Sequence, residues 1–597
     1  MINRNIFPIL SVLLFSCMYG VQVRAQKFFN LTADEVKVDS VLPHFTYSTA
    51  LDGAWGDSVY TVRIEYPEFI EMSKAEAETC KSIVGGTLPA MPDVAANVVV
   101  ERRRGSLEVS FLPFVVRGGK YMKLVSFMLD VKSAPKPGVQ ARSTARAAVA
   151  PADRYAAHSV LATGRWAKIR VPSTGIYELT ETLIRRAGFT DMSRVKVYGY
   201  GGALQEVVLS GDYLTEYDDL KEVPTCTVGG RRLFHAQGPV SWSSNKASKR
   251  TRNPYSDYGY YFITESDGEP LSVDSTAFVD SFYPSADDYH ILHEVDNYSW
   301  FQGGRNLFEN DPIELGKSKS YVIIPEAGQG GVRTISIGVT SGQVTSGKIE
   351  INGLQVTTFK LDRFTEYDHG KEYEGSFRIS YYSPSDTVTI TPSSGGPVRL
   401  DYISVSYETP RNRPILAGTS FPVPEYVYNI TNQDLHADGP ADMVIIVPTS
   451  QKLTEQAQRL KDFHVENDGM RVRIVPADEL FNEFSSGTPD ANAYRRYLKM
   501  LYDRAETEAD MPSYLLLFGD CVWDNRMNTQ ECASLNPDDF LLCNESENSF
   551  SDTQCYVDDG FFCCLDDGEG GDPLKTDKLD VAVGRFPVRT EAEAKIM

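Results

Sequence analysis

Residues 442–588 alternate between apolar strand patterns and helical patterns, and this alternation constrains the fold more than any other feature of the chain. The strand patterns cover residues 443–447, 472–475, 514–518 and 581–583, and the helical patterns cover residues 453–463 and 491–504. Continuously apolar strands need helices on both of their faces, so the pattern predicts a mainly parallel α/β sheet. Gly519 and Asp520 follow one strand directly, at the edge where open α/β sheets bind ligands.

Four short motifs in this stretch resemble one known family. They are YLLLFGD at 514–520, YVDD at 556–559, LDDGEG at 565–570 and LDVAVGRFPV at 579–588. Together, and in this order, they resemble the gingipain-type cysteine peptidases, especially the branch that serves as sortase of the bacterial type IX secretion system. Segments at 164–171, 175–179 and 195–202 also resemble the N-terminal half of those sortases. The resemblance implies a caspase-like α/β domain behind β-rich N-terminal domains.

The resemblance also implies a function. Sortases of this type are cell-surface cysteine endopeptidases and transpeptidases that remove the C-terminal signal domain of a cargo protein through an acyl-enzyme. An amine on anionic lipopolysaccharide then takes the cargo, and an outer-membrane barrel protein of the secretion machinery is a partner. This chemistry requires no cofactor.

A cysteine peptidase needs a thiolate and a base, usually His, within hydrogen-bonding reach. The resemblance implies that both follow strands beyond the segment GRFP at 584–587, so we predict no catalytic dyad in this chain. We therefore expect an N-terminal fragment with an incomplete α/β domain and no activity of its own. By resemblance Asp520 could orient the catalytic His, and capping of a turn is the alternative. His464 lies in a helical pattern, away from the catalytic edge.

Six cysteines lie close together in the sequence, and no histidine accompanies them: Cys521, Cys532, Cys543, Cys555, Cys563 and Cys564. In an exported chain they could form one or two disulfides or remain free thiols. Zinc is disfavoured because paired C-x-x-C spacing is absent.

An acidic run offers hard oxygen ligands for calcium, and gingipain-type domains carry calcium. The candidate ligands are Asp558, Asp559, Asp566, Asp567, Glu569 and Asp572. Their spacing differs from that of an EF-hand loop, so a solvated acidic turn remains the alternative.

The rest of the chain is β-rich, and its length allows several cores. Alternating patterns predict a small N-terminal β domain at 26–131, a linker at 132–152 and a domain rich in β-sandwich structure at 153–412. A connector at 413–437 leads to the α/β peptidase domain at 438–597.

Residues 1–25 form a signal-peptide pattern, with Arg4, an apolar run and a cleavage site between Ala25 and Gln26. Lipidation at Cys17 is the alternative. No later run approaches the roughly 18 apolar residues of a membrane helix. We expect an exported chain on the extracellular face of the outer membrane.

The net charge of −22 argues against nucleic acid as a partner, because phosphate binding requires clustered Lys and Arg. A second function remains open, a secreted non-catalytic β-sandwich adhesin or assembly module with an inactive α/β appendage. A nucleotide-binding protein is disfavoured because the chain has neither a P-loop nor a Rossmann glycine pattern.

Overall fold

The structure is a computed structural model that describes residues 24–51, 55–136, 150–572 and 575–597. The described chain divides into two compact units, Met1–Ala147 with Asp572–Lys578, and Ala148–Gly571 with Leu579–Met597. Most of the predicted signal peptide, with Cys17, and residues 137–149 of the predicted linker lie outside the described residues. No helix among the described residues is long and apolar enough to span a membrane.

The first unit consists of two antiparallel sheets and one helix. Its elements are β1 (Arg24–Asn30), β2 (Phe45–Ala50), β3 (Ser58–Glu71), α1 (Lys74–Val84), β4 (Ala95–Glu101), β5 (Arg104–Phe111), β6 (Phe114–Arg117) and β7 (Lys120–Pro135). One sheet has the order β1-β7-β3 with β6 on β7, and the other has the order β2-β5-β4. Alternate residues of β5 and β7, such as Leu107 and Phe127, form the core between them. This agrees with the period-two pattern of the sequence.

The β-rich part of the second unit contains seventeen strands and three short helices. They are β8 (Trp166–Val171), β9 (Gly175–Leu179), α2 (Glu181–Arg186), β10 (Val195–Tyr198), α3 (Gly211–Glu216), β11 (Thr225–Val228), β12 (Arg231–Ala236), β13 (Val240–Ser241), β14 (Thr251–Arg252), β15 (Gly259–Glu265), α4 (Ser275–Asp280), β16 (His290–Glu294), β17 (Lys319–Ile323), β18 (Arg333–Ser341), β19 (Thr345–Ile351), β20 (Leu354–Leu361), β21 (Lys371–Ile379), β22 (Asp386–Ser394), β23 (Arg399–Tyr407) and β24 (Glu425–Ile430).

These strands form a β sandwich and three smaller sheets. In the sandwich, a sheet of order β16-β23-β18-β21 and a sheet of order β17-β22-β19-β20 share one apolar core, which includes Ile337, Ile349 and Ile403. The smaller sheets have the orders β10-β15-β8-β24, β11-β12-β9 and β13-β14. The predicted β-sandwich class is confirmed by the two sheets packed face to face.

The C-terminal part is a parallel α/β sheet. Its elements are β25 (Met443–Val447), α5 (Thr454–Asp468), β26 (Val472–Pro476), α6 (Ala477–Phe484), α7 (Asn492–Arg504), β27 (Tyr514–Phe518), β28 (Ala582–Phe586) and α8 (Glu591–Ala594). The strand order is β26-β25-β27-β28, and every pair is parallel. The predicted mainly parallel sheet is therefore present.

Both faces of this sheet are covered, as the apolar strands predicted. Val444 and Ile446 of β25 pack with α6 and α7, whereas Met443 and Ile445 of the same strand pack with α5 on the other face. Successive side chains of a strand point to opposite faces, so a strand buried on both sides must be apolar at every position. Because all four strands are parallel, their carboxyl ends meet at one edge of the sheet.

Two elements differ from the sequence prediction by more than one residue at an end, and one helix was not predicted. Helix α5 continues beyond residue 463 until Gly469 ends it in a left-handed conformation with φ of 67°. The strand predicted at 581–583 runs instead over Ala582–Phe586, because its backbone pairs with all five residues of β27 whatever its side chains are. Helix α6 was not predicted, although Leu480, Phe481 and Phe484 have helical spacing.

Candidate functional site

The carboxyl edge of the parallel sheet is formed by the segments that follow β25, β27 and β28. Gly519 directly follows β27, and a Cβ added there would lie 2.8 Å from Cγ of Pro448, which follows β25. Glycine therefore allows these two loops to approach closely. The backbone N–H of Asp520 donates to the carbonyl of Val588, 3.1 Å away, and so joins the loops after β27 and β28.

Asp520 is held at this edge by two groups. Its Oδ1 atom accepts a hydrogen bond from the Cys521 amide at 3.0 Å, and its Oδ2 atom lies 2.6 Å from Nε of Arg589. The Arg589 side chain is 59% exposed, so this ion pair is accessible to solvent. Asp520 thus accepts a backbone N–H of the turn that follows it, and the ion pair with Arg589 was not predicted.

Cys521 and Cys543 form a pair of interacting thiols beside Asp520. A hydrogen bond from Cys543 and the nearby Arg585 charge, opposed by burial, lower the pKa of Cys521 to about 7. The same contact and burial raise the pKa of Cys543 well above the usual range of a thiol. Cys521 is therefore partly ionised at neutral pH, and a thiolate is the nucleophilic form of cysteine.

Arg585 fixes the walls around this thiol pair. Its guanidinium forms two hydrogen bonds with Asp559, at 2.8 and 2.7 Å, and also donates to the carbonyls of Gly519 and Leu542. Such a bidentate pair is geometrically specific. The arginine comes from strand β28, in the middle of the GRFP segment, and it orders the loops on both sides of Cys521.

Glu545 lies next to the thiols and is almost fully buried. Burial and the neighbouring Cys521 raise its pKa to about 8. Its Oε2 atom has no hydrogen-bond partner among the described residues. At neutral pH the Glu545 side chain is therefore mostly protonated and uncharged. Asp559, by contrast, forms a salt bridge with Arg585.

A cleft of about 700 Å³ opens on the outer side of Asp520. Its lining includes Lys452, Leu535, Phe540 and Arg589. Lys452 pairs with Asp539, and the Arg589 guanidinium lies 5.6 Å from the centre of the Phe540 ring. The cleft thus combines the apolar side chains of Leu535 and Phe540 with charged groups that are already paired, which suits a peptide segment better than a single free ion.

The two histidines that follow residue 430 pair with carboxylates. His436 is buried, with Nδ1 2.6 Å from Glu483 and Nε2 3.3 Å from Asp218. His464, on α5, lies 2.6 Å from Asp468 of the same helix. His464 therefore lies on a helix, as predicted, and both rings contact carboxylates of the scaffold.

The clustered cysteines are free thiols in this structure. This holds for all six in the region, of which four are buried and Cys521 and Cys555 are partly exposed. Of the alternatives left open by the sequence, the structure has free thiols.

The acidic run contributes two residues to one buried carboxylate cluster. Oxygen atoms of Asp566, Glu569 and Asp580 lie within 4.8 Å of one another. The Tyr502 hydroxyl donates to Asp566 at 2.9 Å and to Asp580 at 3.4 Å. Asp580 was missed in the sequence, because it belongs to the LDVAVGRFPV motif and is separated from the acidic run. No local pattern marks it as a ligand.

The other predicted calcium ligands lie elsewhere. Asp567 accepts hydrogen bonds from Arg154 and Lys499, and Asp559 pairs with Arg585. Burial opposes ionisation of Asp567, but the contacts with Arg154 and Lys499 hold its pKa below the usual range. The amide of Asp558 donates to Asn544, and the amide of Asp572 donates to Asp577 in the first compact unit.

Comparison with known proteins finds a family match for the C-terminal region. Residues 436–597 match the model of peptidase family C25. The chain is also similar to a solved structure described as dimeric latent PorU from Porphyromonas gingivalis. The two are 27% identical with a TM-score of 0.62, over 74% of this chain and 50% of that chain. This chain thus spans about half the length of the PorU chain. The resemblance to gingipain-type peptidases and the predicted fold class are confirmed.

Two further matches are carbohydrate-binding modules. A family 35 module from Clostridium thermocellum is 19% identical, with a TM-score of 0.14, over 20% of this chain and 87% of the module. The family 35 module of Abf62 from Cellvibrio japonicus is 18% identical, with a TM-score of 0.15, over 19% of this chain and 91% of the module. No curated protein sequence matches the chain.

Proposed function

Because residues 436–597 match peptidase family C25 and the chain is PorU-like in fold, we propose that it is the N-terminal portion of a type IX sortase. The enzyme would be a cysteine endopeptidase and transpeptidase at the cell surface. It would remove the C-terminal signal domain of cargo proteins and help to anchor them to anionic lipopolysaccharide. An outer-membrane barrel protein of the secretion machinery would be its partner.

The observation that carries this proposal is the joint match to PorU and to family C25 in a region whose four parallel strands end at one edge. Acyl transfer by a thiol needs a base that ionises the cysteine and backbone amides that stabilise the oxyanion. Segments after strand ends supply both kinds of group in a fixed geometry. The carboxyl edge near Asp520 and the adjoining cleft support a role in acyl transfer because they form a surface along which a peptide substrate can bind.

We propose that Asp520 and Arg589 position the peptide substrate at the carboxyl edge of the sheet. We also propose that Cys521 is not the nucleophile. Cys521 interacts with another thiol, Cys543, and the nearby carboxyl of Glu545 is buried. His436 and His464, the histidines of the matched region, are paired with carboxylates. The 597-residue chain alone is therefore expected to be inactive.

A peptide-cleavage assay tests this function. The substrate is a peptide that spans the junction between a cargo protein and its C-terminal signal domain. We expect no cleavage by the 597-residue chain, and cleavage that is blocked by a thiol alkylator for the product of the complete gene. Supply of a glycine-derived amine should yield the corresponding amide if the enzyme is a transpeptidase.

The matched control is Cys521→Ser in the complete product, which should leave cleavage unchanged. Cleavage by the 597-residue chain that is lost in Cys521→Ser would contradict the proposed position of the nucleophile. An inactive complete product would contradict the peptidase function and favour the non-catalytic adhesin.

We further propose a structural calcium ion at Asp566, Glu569 and Asp580. Oxygen atoms of these three buried residues lie within 4.8 Å of one another, and carboxylate oxygens gathered in this way are the hard ligands that Ca²⁺ prefers. The ion would join the turn after Cys564 to the start of β28. It would stabilise the fold and take no part in the peptidase chemistry.

A further inference from the structure

Lys168 is a buried lysine in the middle of strand β8. Its side chain is surrounded by aromatic rings, with Nζ 4.7 Å from the centre of Tyr260, 5.8 Å from Tyr428 and 5.9 Å from Phe262. Only 4% of the residue is exposed. Lysine is rarely buried without a partner, because taking an ammonium ion out of water is unfavourable.

The hydrogen-bond partner of this amine is an amide. Nζ of Lys168 donates a hydrogen bond to Oδ1 of Asn482 at 3.0 Å, and Asn482 is itself only 2% exposed. Among the described residues, no carboxylate oxygen lies within 4.0 Å of this Nζ atom. By contrast Lys499, which is equally buried, pairs with Asp503 and Asp567. Burial lowers the pKa of Lys168 to about 8, so about a tenth of it is the neutral, nucleophilic amine at pH 7.

Helix α6 presents a carboxyl and an amide on the face that meets Lys168. Asp478 and Asn482 are four residues apart, one helical turn, and therefore share a face. Nδ2 of Asn482 donates a hydrogen bond to Oε1 of Gln433 at 2.9 Å. This bond orients the Asn482 amide so that its carbonyl oxygen faces Lys168. Oδ1 of Asp478 is buried and has no hydrogen-bond partner among the described residues.

We propose that Lys168 and Asn482 become joined by an intramolecular isopeptide bond. The arrangement has the three groups that this reaction requires: an amine with three aromatic rings around it, an amide carbonyl in contact with the amine, and the carboxyl of Asp478 on the same helix as the amide, whose charge acts on Lys168, as does that of Asp538. Enclosure matters because it excludes water, which would otherwise solvate the amine and compete for the carbonyl.

The reaction balances without a co-reactant. The lone pair of neutral Nζ attacks Cγ of Asn482, which forms the new C–N bond and a tetrahedral intermediate. Asp478 transfers a proton from Nζ to Nδ2, the Cγ–Nδ2 bond breaks, and ammonia leaves. No electron is gained or lost. Burial raises the pKa of Asp478, which shifts this carboxyl toward the form that donates a proton to the leaving nitrogen.

The bond would connect two parts of the second compact unit. Strand β8 belongs to the sheet of order β10-β15-β8-β24, and α6 covers the parallel sheet. A covalent bond between them would hold the β-rich part to the peptidase-family region, because it limits the conformations of the unfolded chain. The inference is independent of the proposed peptidase function.

Peptide mass spectrometry of the purified, unheated protein tests the inference. Complete tryptic digestion should yield peptides 166–170 and 474–495 as one branched species. Its mass should equal the sum of the two peptides less about 17 Da, the mass of ammonia. The result that overturns the proposal is recovery of the linear peptides 166–168 and 474–495 from protein whose circular dichroism shows it is folded, because trypsin cleaves after an unmodified Lys168.

Three substitutions and one control sharpen the result. Lys168→Met and Asn482→Ala should each abolish the branched species and lower the melting temperature. Asp478→Asn should retain the fold but form little of the branched species, and an unchanged yield would overturn the proton-transfer role of Asp478. Lys196→Met, on strand β10 of the same sheet, should leave the branched species intact. Its loss in that control would overturn the assignment to Lys168.

Discussion

His436 is the clearest case of a single residue whose charge depends on the fold. Burial by itself would lower the pKa of this imidazole, but hydrogen bonds with Asp218 and Glu483 raise it to about 9. A raised pKa in the folded state means that the protonated ring stabilises the fold. This stabilisation is fully present below the unfolded value near 6.5 and is lost as the pH rises through about 9.

We predict that His436→Gln lowers the free energy of unfolding at pH 6 by about 3 kcal/mol, since each pH unit of pKa corresponds to about 1.4 kcal/mol. The deficit should shrink progressively between pH 7 and pH 10. Urea unfolding of His436→Gln and of the parent protein at several pH values measures this difference in the free energy of unfolding. His464→Gln, on the outer surface of α5, is the control and should change little. A deficit that does not vary with pH would contradict the charged state of His436.

The carboxylate cluster of Asp566, Glu569 and Asp580 leads to a prediction about metal removal. A ligand that binds only the folded state stabilises it, by about 2.7 kcal/mol when its concentration is a hundredfold above Kd. Chelation with EGTA should therefore lower the melting temperature, and added Ca²⁺ should restore it. Asp580→Asn should abolish the response, whereas Asp558→Asn should retain it. An identical melting temperature with EGTA and with Ca²⁺ would contradict the site.

The cluster also shows what local sequence can and cannot predict at the scale of residues. The acidic run predicted calcium ligands, and two of its six members, Asp566 and Glu569, share a site with Asp580. Asp567 lies next to Asp566 in the sequence, yet it faces Arg154 and Lys499. Adjacent residues in a turn point in different directions, so their partners depend on distant segments.

The buried side chains of helix α7 include two arginines, Arg495 and Arg496, in addition to apolar groups. Arg495 donates to the carbonyls of Cys564, Val207 and Glu569, and Arg496 donates to those of Phe484 and Tyr217. Through these bonds the helix connects loops of the β-rich part with the turn before β28. Buried carbonyls without a donor destabilise a fold, so these arginines satisfy groups that no apolar residue could.

Arg496→Met should lower the free energy of unfolding by about 3 kcal/mol, because methionine fills similar space but leaves several buried acceptors without a donor. Chemical denaturation measures the change. Arg459→Met on the exposed side of α5 is the matched control and should change stability by less than about 0.5 kcal/mol. Equal stability of Arg496→Met and the parent protein would show that water replaces the guanidinium.

At the scale of elements, the accuracy of the sequence prediction follows from how local each signal is. Strands β25 and β27 were predicted with the observed bounds because five consecutive apolar residues are unambiguous in a parallel sheet. Strand β28 was misplaced since Gly584 and Arg585 have no apolar side chain and are strand residues only through pairing with β27. Helix α6 was missed because its eight residues are too few for a strong periodic signal.

At the scale of the whole molecule, the second compact unit combines a β sandwich, smaller sheets and the parallel sheet through polar contacts as well as apolar ones. Lys168 with Asn482, His436 with Asp218, and Arg154 with Asp567 each join the β-rich part to the region that matches family C25. These pairs are separated by more than 200 residues in the sequence. The β-rich part is thus integral to the folded environment of the peptidase-family region.

The sequence alone determined the α/β class of the C-terminal region, the β-rich class of the rest and the family resemblance. Each of these depends on short-range patterns of apolar residues, glycines and motifs, which are readable along the chain. Only the tertiary structure decided that Asp580 joins Asp566 and Glu569, that Cys521 contacts Cys543, and that Lys168 meets Asn482. The reason is physical: these contacts arise where strands and helices from distant segments pack together, and no local periodicity encodes which side chains meet there.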